Sequence, residues 1–327
     1  MAVNYFAASY NITDMIWKKF NALGTEVIIV AALTPEQEQK KLLDQAEKIV
    51  LDFDKKFSRF VAGNELNRFN NFSGGEFKAS ETLIDLLKEA KRANVLTKGI
   101  FEPAVIGSLE SSGYDRSFDD IKKQDERQVN PGQITEEFFR QPRISELEIS
   151  GDKVIKPAGL RLDLGGLGKG YMADFLGEHL LGRVSDLWIS AGGDLFIRGN
   201  DQASRGWKVG VQDPYKPERE IFAVYTKGEK VGIATSGIFK RKGRIGGFFW
   251  HHLIDPRSGL PADNDILAVT AISSSAKRAD IFAKTVLILG ERLGLDFIDA
   301  QTDSAALLFF KDGRTVFSQR ALPYLRA

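Results

Sequence analysis

The residues able to do chemistry in this chain fall into four clusters. The longest runs from Asp163 to Asp174, Asp-Leu-Gly-Gly-Leu-Gly-Lys-Gly-Tyr-Met-Ala-Asp, with four glycines between positions 165 and 170. It follows the strand-like Leu160-Arg161-Leu162 and leads into Met172, Phe175, Leu176 and Leu180 at helical spacing. A glycine-rich turn feeding a helix N-terminus suits an anion. The first N–H groups of the helix lack intrahelical partners, and the dipole points its positive end at the turn. Glycine also lets the backbone approach a ligand closely. The stretch is not a P-loop, because Gly170 stands where Ser or Thr would follow the lysine, and it does not fit G-x-G-x-x-G. By itself it reads either as a phosphate cradle or as a structural turn with a charged rim.

The other clusters are Ala234-Thr235-Ser236-Gly237, the run His252-Leu253-Ile254-Asp255-Pro256-Arg257-Ser258-Gly259, and Ala279-Asp280 near the start of a long helical pattern. The chain has 3 histidines, His179, His251 and His252, so candidates for a general base near neutral pH are few. His252 reads as such a base or as a core histidine. In a strand His251 would point to the opposite face, so at most one of the two meets a site. Asp255 to Gly259 is turn chemistry on any reading. Asp280 is a functional carboxylate or an acid answering a helix dipole. Phe60 and Trp250 are core residues or ring platforms for a ligand.

Composition removes several classes. Lys+Arg 45 against Asp+Glu 44 leaves a net charge of +1, which gives nucleic acid no basic footprint. With Cys 0 there is no disulfide, thiolate metal site, cysteine nucleophile or lipid-anchoring cysteine. Met1 to Phe20 has no basic start followed by an apolar core, and no run approaches a membrane span. The expected location is therefore cytoplasmic, without membrane insertion.

The elements that must position these clusters follow from pattern. Thr25 to Val30 reads as a strand entered through a Leu23-Gly24-Thr25 turn. Thr34-Pro35-Glu36-Gln37 reads as a capped helix start, with an apolar stripe from Leu42 to Phe57. Ser80 opens a second helix that Gly99 ends. The charged segment 111–142 reads as loops with a short exposed helix. Leu187 to Ser190, Trp207 to Val211, Phe222 to Tyr225, Val231 to Thr235 and Leu267 to Ile272 read as strands, and Ala276 to Leu289 as a helix. Ala306 to Phe310, Asp312-Gly313 and Thr315 to Phe317 form a hairpin pattern. Strands grouped into hairpins favour an α+β fold over a doubly wound sheet. No linker separates domains, so a single domain spanning 1–327, with an insertion at about 111–142, is expected.

Taken in order, the motifs resemble the ApbE family, the FAD:protein FMN transferases. Leu23-Gly24-Thr25 is similar to the family's Met-Gly-Thr, and Ser58-Arg59-Phe60 with Glu65-Leu66-Asn67 to its Ser-x-Tyr…Ser-Glu-Leu…Asn segment. Phe101-Glu102-Pro103 resembles Phe-Asp-Pro, and Asp163 to Asp174 resembles Asp-Leu-Gly-Gly-Ile-Ala-Lys-Gly-Tyr-x-x-Asp. Ala191-Gly192-Gly193-Asp194, Ala234 to Gly237, His252 to Gly259 and Ala279-Asp280 through Gly290 also have counterparts. The resemblance implies a T-fold-like, two-lobed α+β body of mixed, mainly antiparallel sheets with flanking helices and a flavin groove. It implies Mg²⁺-assisted cleavage of FAD, attachment of FMN to a Thr or Ser hydroxyl of a target flavoprotein, and release of AMP. Carried over, Leu23, Phe60, Phe101, Glu102 and Pro103 line the flavin and pyrophosphate pocket. Asp163, Gly166, Lys169 and Asp174 hold FAD from the glycine-rich loop, with Thr235 and Ser236 as further contacts. The backbone carbonyl of Gly168 and Asp280 bind the metal, and His252 is the base that helps the acceptor hydroxyl attack.

One departure bears on the chemistry. In well-known members the metal helix reads Ala-Asp-x-x-x-Thr and that Thr is a ligand, but here the matching position is Lys284. An ammonium cannot ligate Mg²⁺, and Thr285 is turned about 100° further round a helix. Asp280 and Lys284, four apart, should pair on one helix face. Two other readings stay open beside transfer: an FAD-binding protein without catalysis, and an FAD pyrophosphatase giving FMN and AMP.

Overall fold

In a computed structural model of the chain, the described residues are 15–32, 36–116, 121, 129–201, 206–239, 242–245 and 247–325. Thr34 and Pro35, expected to start the first helix, lie outside them. Eight strands build the main sheet: β1 (Met15–Ala22), β2 (Thr25–Ala32), β3 (Leu187–Ala191), β4 (Asp194–Gly199), β5 (Gly228–Gly237), β6 (Ile266–Ser273), β7 (Ala305–Phe310) and β8 (Thr315–Phe317). Each pairs antiparallel with the next, so their order in space is their order in the chain. The sheet is a meander opened by insertions. The largest, between β2 and β3, carries helices α1 (Glu36–Phe57), α2 (Glu65–Asn71), α3 (Glu81–Leu96), α4 (Ile106–Ser111), α5 (Pro131–Arg140) and α6 (Gly168–Leu180). Helices α7 (Ala276–Leu289) and α8 (Glu291–Asp299) join β6 to β7.

Period-two alternation divides the strand residues between two cores. Val27, Ile29, Ile189, Phe196 and Val269 face the helices and join Leu83, Leu87, Leu176 and Phe282. Ile28, Trp188, Leu195, Ile197 and Ile233 face away, against Val209, Val211 and Val224. Those three valines belong to an antiparallel hairpin of Lys208–Gln212 and Glu220–Tyr225. β3 and β7 are buried along their whole length, as central strands between two layers must be. The observed architecture is α+β and mainly antiparallel, as the hairpin grouping predicts.

Two backbone details place the site. The β1–β2 hairpin turns through Leu23 and Gly24 at φ 58° and 64°, the pair of left-handed conformations that a two-residue I′ turn needs. A leucine there is strained by about 1 kcal/mol. The turn lies beside the β3–β4 turn, where the Gly192 N–H donates to the Glu26 carbonyl at 2.9 Å. The second detail is Gly170 in α6. A Cβ at that position would meet the Ala276 carbonyl oxygen and the Lys277 Cα at 2.8 Å, so glycine lets the first turn of α7 rest against α6.

Candidate active site

At one end of the helix face, four charged side chains from three elements meet. Lys169, in the first turn of α6, is ion-paired with Asp194 at the start of β4, and its Nζ lies 3.9 Å from Asp280 Oδ2. Lys284 is ion-paired with the other oxygen of Asp280, one turn along α7. The two carboxylates are almost fully buried, at 3% and 2% side-chain exposure, whereas the lysines keep 18% and 14%, so the ammonium-bearing chains form the cluster's open side. Burial first, and then the Asp280 charge, push the Asp194 carboxyl above its ordinary range. Asp280 Oδ2 is buried without a hydrogen-bond partner. The expected Asp280–Lys284 pair is present.

The glycine-rich loop borders this cluster. Asp163 shapes it, with Oδ1 accepting from the Gly165 N–H at 2.7 Å. The Asp163 N–H in turn donates to the Pro103 carbonyl at 2.8 Å, which ties the loop to the Phe101-Glu102-Pro103 segment. At Gly166 a Cβ would come within 3.4 Å of Lys284 Cε and 3.5 Å of the Phe101 ring, so the backbone, the lysine stem and the ring share one small space. α6 then starts at Gly168 with Leu167 as an N-cap that offers no side-chain acceptor. Its dipole faces the loop with no protein carboxylate in the first turn.

Arg59 joins this loop to an aromatic surface. Its Nε lies 3.3 Å from Asp163 Oδ2, and its Nη2 donates to the Tyr114 carbonyl at 3.0 Å. The guanidinium lies over the rings of Phe60 and Tyr114, at 4.3 and 4.8 Å from their centroids. Tyr114 stacks on buried Trp250 at 5.8 Å. Phe60 is the exposed member of this group, 44% accessible. The segment carrying Arg59 and Phe60 is fixed by Asn64, whose Nδ2 donates to the Ser58 carbonyl at 2.7 Å. Asn67 adds donations to the Arg59 and Val61 carbonyls at 3.1 and 2.7 Å.

His252 follows Trp250 by two residues. It lies in a bend just past the strand Phe248–His251 and is half-buried. The pair of histidines therefore divides at the end of a strand rather than across its faces. His251 is buried in a structural role. Its Nε2 meets the Ala262 carbonyl at 2.9 Å, and its Nδ1 accepts from the Leu253 N–H at 3.3 Å. Those partners require the neutral Nε2–H tautomer, and burial lowers its pKa to about 4.

Three residues expected at the ligand, Asp174, Glu102 and Thr235, have other partners. Both oxygens of Asp174 are taken by the first N–H groups of α7, Ala276 at 2.8 Å and Lys277 at 3.0 Å, so this carboxylate caps one helix from another. The helix-start acid of α7 is thus Asp174, whereas Asp280 points into the charge cluster. Glu102 is turned inward, accepting from the N–H groups of Ala104 at 2.9 Å and Ile144 at 3.2 Å, and burial raises its pKa. Thr235 lies on the sheet face opposite the helices, hydrogen-bonded to its cross-strand neighbour Thr270 at 2.8 Å. Its neighbour Ser236 faces the helix side and is buried. Thr285 is fully buried and donates to the Ile281 carbonyl at 2.8 Å, so it is no ligand in place of Lys284. Sequence reasoning passed over Asp194 and Arg59. Their signals were present, an acid closing a Gly-Gly turn and a cation beside Phe60, but neither names its partner.

The arrangement offers an aromatic platform, a polar loop and a pair of ammonium groups on one surface. A model of the ApbE family matches residues 23–309. The FAD:protein FMN transferase of Vibrio cholerae is 26% identical over 267 residues, covering 80% of this chain and 78% of that protein. The FAD:protein FMN transferase of Haemophilus influenzae is 24% identical over 284 residues, 84% of this chain and 80% of that one. Among solved structures, the ApbE protein of Thermotoga maritima superposes with a TM-score of 0.85 over 96% of this chain and 100% of its own, at 24% identity. Flavin transferase ApbE from Vibrio cholerae gives 0.81 over 95% and 99%, at 22% identity. Those superpositions establish the fold. The family match runs from the Leu23 turn to β7 and takes in the glycine-rich loop, the Lys169–Asp194 pair and α7, so this chain belongs to the ApbE family.

Proposed function

We propose that the chain moves FMN from FAD onto a Thr or Ser hydroxyl of a target flavoprotein. The observation that carries this reading is Arg59, which binds Asp163 of the glycine-rich loop and lies over the Phe60 ring, 4.3 Å from its centroid. It fuses a ring-binding surface and an anion-binding loop into one site, and FAD has one flavin ring system and one diphosphate to match. Phe60, backed by Tyr114 and Trp250, stacks the isoalloxazine. The loop at Gly166 and the N-terminus of α6 take the diphosphate. Leu23, Phe101 and Pro103 shape the walls.

In the reaction the acceptor oxygen attacks the phosphorus on the riboflavin side of the diphosphate. The bond from that phosphorus to the bridging oxygen breaks, AMP leaves with the bridging oxygen, and a phosphoester joins FMN to the protein. His252 accepts the hydroxyl proton. The neighbouring cations offset charge that builds on the leaving AMP.

Family resemblance also implies Mg²⁺, held by the Gly168 carbonyl and Asp280. The side chains here do not fit it. Thr285 is committed to its own helix, and Lys284 sets an ammonium against Asp280. The same lysine gives the non-catalytic FAD-binding reading its one structural support. Incubation with FAD and a candidate flavoprotein, followed by intact mass of the acceptor, separates the readings. Transfer adds FMN to the acceptor, and His252→Ala keeps FAD binding while losing the adduct. Free FMN and AMP without an adduct indicate a pyrophosphatase, and unchanged FAD a binder.

A further inference from the structure

Two buried carboxylates face two lysines in the charge cluster, so the formal charges of Asp194, Asp280, Lys169 and Lys284 cancel. Lys284 holds Oδ1 of Asp280, and the unpartnered Oδ2 lies 3.9 Å from the Lys169 ammonium, so the approach of a dication to this carboxylate is opposed by both cations. Two ammonium groups carry the same total charge as one divalent cation. They are also held where the ligand needs them. The Lys284 stem runs past Gly166 of the glycine-rich loop, within 3.4 Å of where a Cβ would stand, and Lys169 belongs to the first turn of the helix that the loop feeds. The carboxylates beneath fix both ammonium groups, so little ordering is left when an anion arrives. An ammonium has three donors and can bridge a carboxylate and a phosphate oxygen at once.

We infer that Lys169 and Lys284 form a metal-independent clamp for the diphosphate of FAD, with Asp194 and Asp280 as its positioning residues. This rests on the FAD reading above and specifies which donors meet the diphosphate. Lys284 then takes the place of a metal ligand by removing the need for the metal.

Flavin fluorescence titrations of FAD and of riboflavin, in EDTA and in Mg²⁺, test the inference on wild type, Lys284→Thr and Lys284→Arg. Thermal unfolding followed by circular dichroism confirms that each variant is folded. Wild type should bind FAD equally well in both buffers, and Lys284→Arg should do the same. Lys284→Thr should lose about tenfold or more in EDTA, the scale expected for removing a charged hydrogen bond. It should regain FAD affinity in Mg²⁺, because the freed Asp280 oxygen and the new hydroxyl can ligate. Riboflavin, which lacks the diphosphate, should bind all three proteins alike. Wild-type binding of FAD that depends on Mg²⁺ would overturn the clamp, as would Lys284→Thr binding like wild type in EDTA. Failure of wild type to bind FAD in either buffer would overturn the FAD reading itself, and the clamp with it.

Discussion

Replacing Arg59 by alanine removes the joint between the loop and the aromatic surface. The side chain is 7% exposed and its partner Asp163 17%, so solvent screens the pair less than a surface bridge. A hydrogen bond from a charged donor to the Tyr114 carbonyl contributes about 1.5–3 kcal/mol, and two ring contacts add about 0.5–1 kcal/mol each. These are not additive, since one guanidinium makes them all, and about 2–4 kcal/mol is expected for Arg59→Ala. The Asp163 carboxylate also loses its cation, which weakens the loop's hold on an anion. Arg59→Lys separates charge from shape. Lysine keeps the positive charge but has no planar face to lay on Phe60 and Tyr114 and no fork to reach Asp163 and the Tyr114 carbonyl together. It should recover less than half of the loss. Urea unfolding gives the stability, and FAD titration of the folded variant gives the affinity. If Arg59→Ala matches wild type in both, the joint carries no energy. If Arg59→Lys matches wild type, charge alone is enough and the stacking argument fails.

Three further outcomes follow from the geometry. Asp174→Ala leaves two N–H groups at the α7 start without acceptors and should lower stability by about 1–3 kcal/mol in urea unfolding, with Asp174→Asn recovering part; an unchanged alanine variant would show that the cap contributes nothing. The pKa of His251, lowered to about 4 from 6.5, means that the unfolded chain binds a proton there before the folded one does as pH falls. Its contribution is complete above the unfolded value and is lost progressively below it, by up to about 3 kcal/mol near pH 4. His251→Gln should flatten the pH dependence of unfolding between about pH 6.5 and 4, and an unaltered slope would place the titration elsewhere. Thr285→Val should change stability by under about 1 kcal/mol and leave FAD titrations in EDTA and Mg²⁺ unaltered; a shifted Mg²⁺ dependence would make Thr285 a ligand after all.

What was legible in the sequence was mostly local. Ser80 caps α3, with its hydroxyl accepting from the Leu83 N–H at 3.2 Å, and Gly99 follows the helix at φ 84°, as helix-end chemistry predicts. α7 spans the segment that its periodicity marked, and the Asp280–Lys284 pair follows from the geometry of one helix. Asp174 shows the limit. A carboxylate after a glycine-rich loop looks like a ligand contact, yet its partners lie 102 and 103 residues on and only the α6–α7 packing reveals them. Glu102 misleads for the same reason, since one of its partners is Ile144, 42 residues away. Thr235 and Ser236 are both polar in sequence, but adjacent strand residues face opposite ways, and only the fold shows that Thr235 is the one on the face away from the helices. The segment 111–142 had too few aliphatic residues for a periodic pattern. Within it, α5 follows the cap at Asn130, whose side chain accepts from the Gly132 and Gln133 N–H groups, while 117–120 and 122–128 lie outside the described residues. Phe60 and Trp250 were candidate ring platforms, but their grouping through Tyr114 was not legible, because Tyr114 and Trp250 come from separate insertions that only the fold brings together.

In the proposed reaction FAD is cleaved by a protein hydroxyl and not by water. Stoichiometry tests it most directly. Wild-type protein is incubated with FAD and an acceptor flavoprotein, with AMP measured by chromatography and the acceptor adduct by intact mass. Transfer to the hydroxyl gives one AMP for each FMN attached, no free FMN, and loss of both products together in His252→Ala. AMP released with an equal amount of free FMN and no adduct would contradict it.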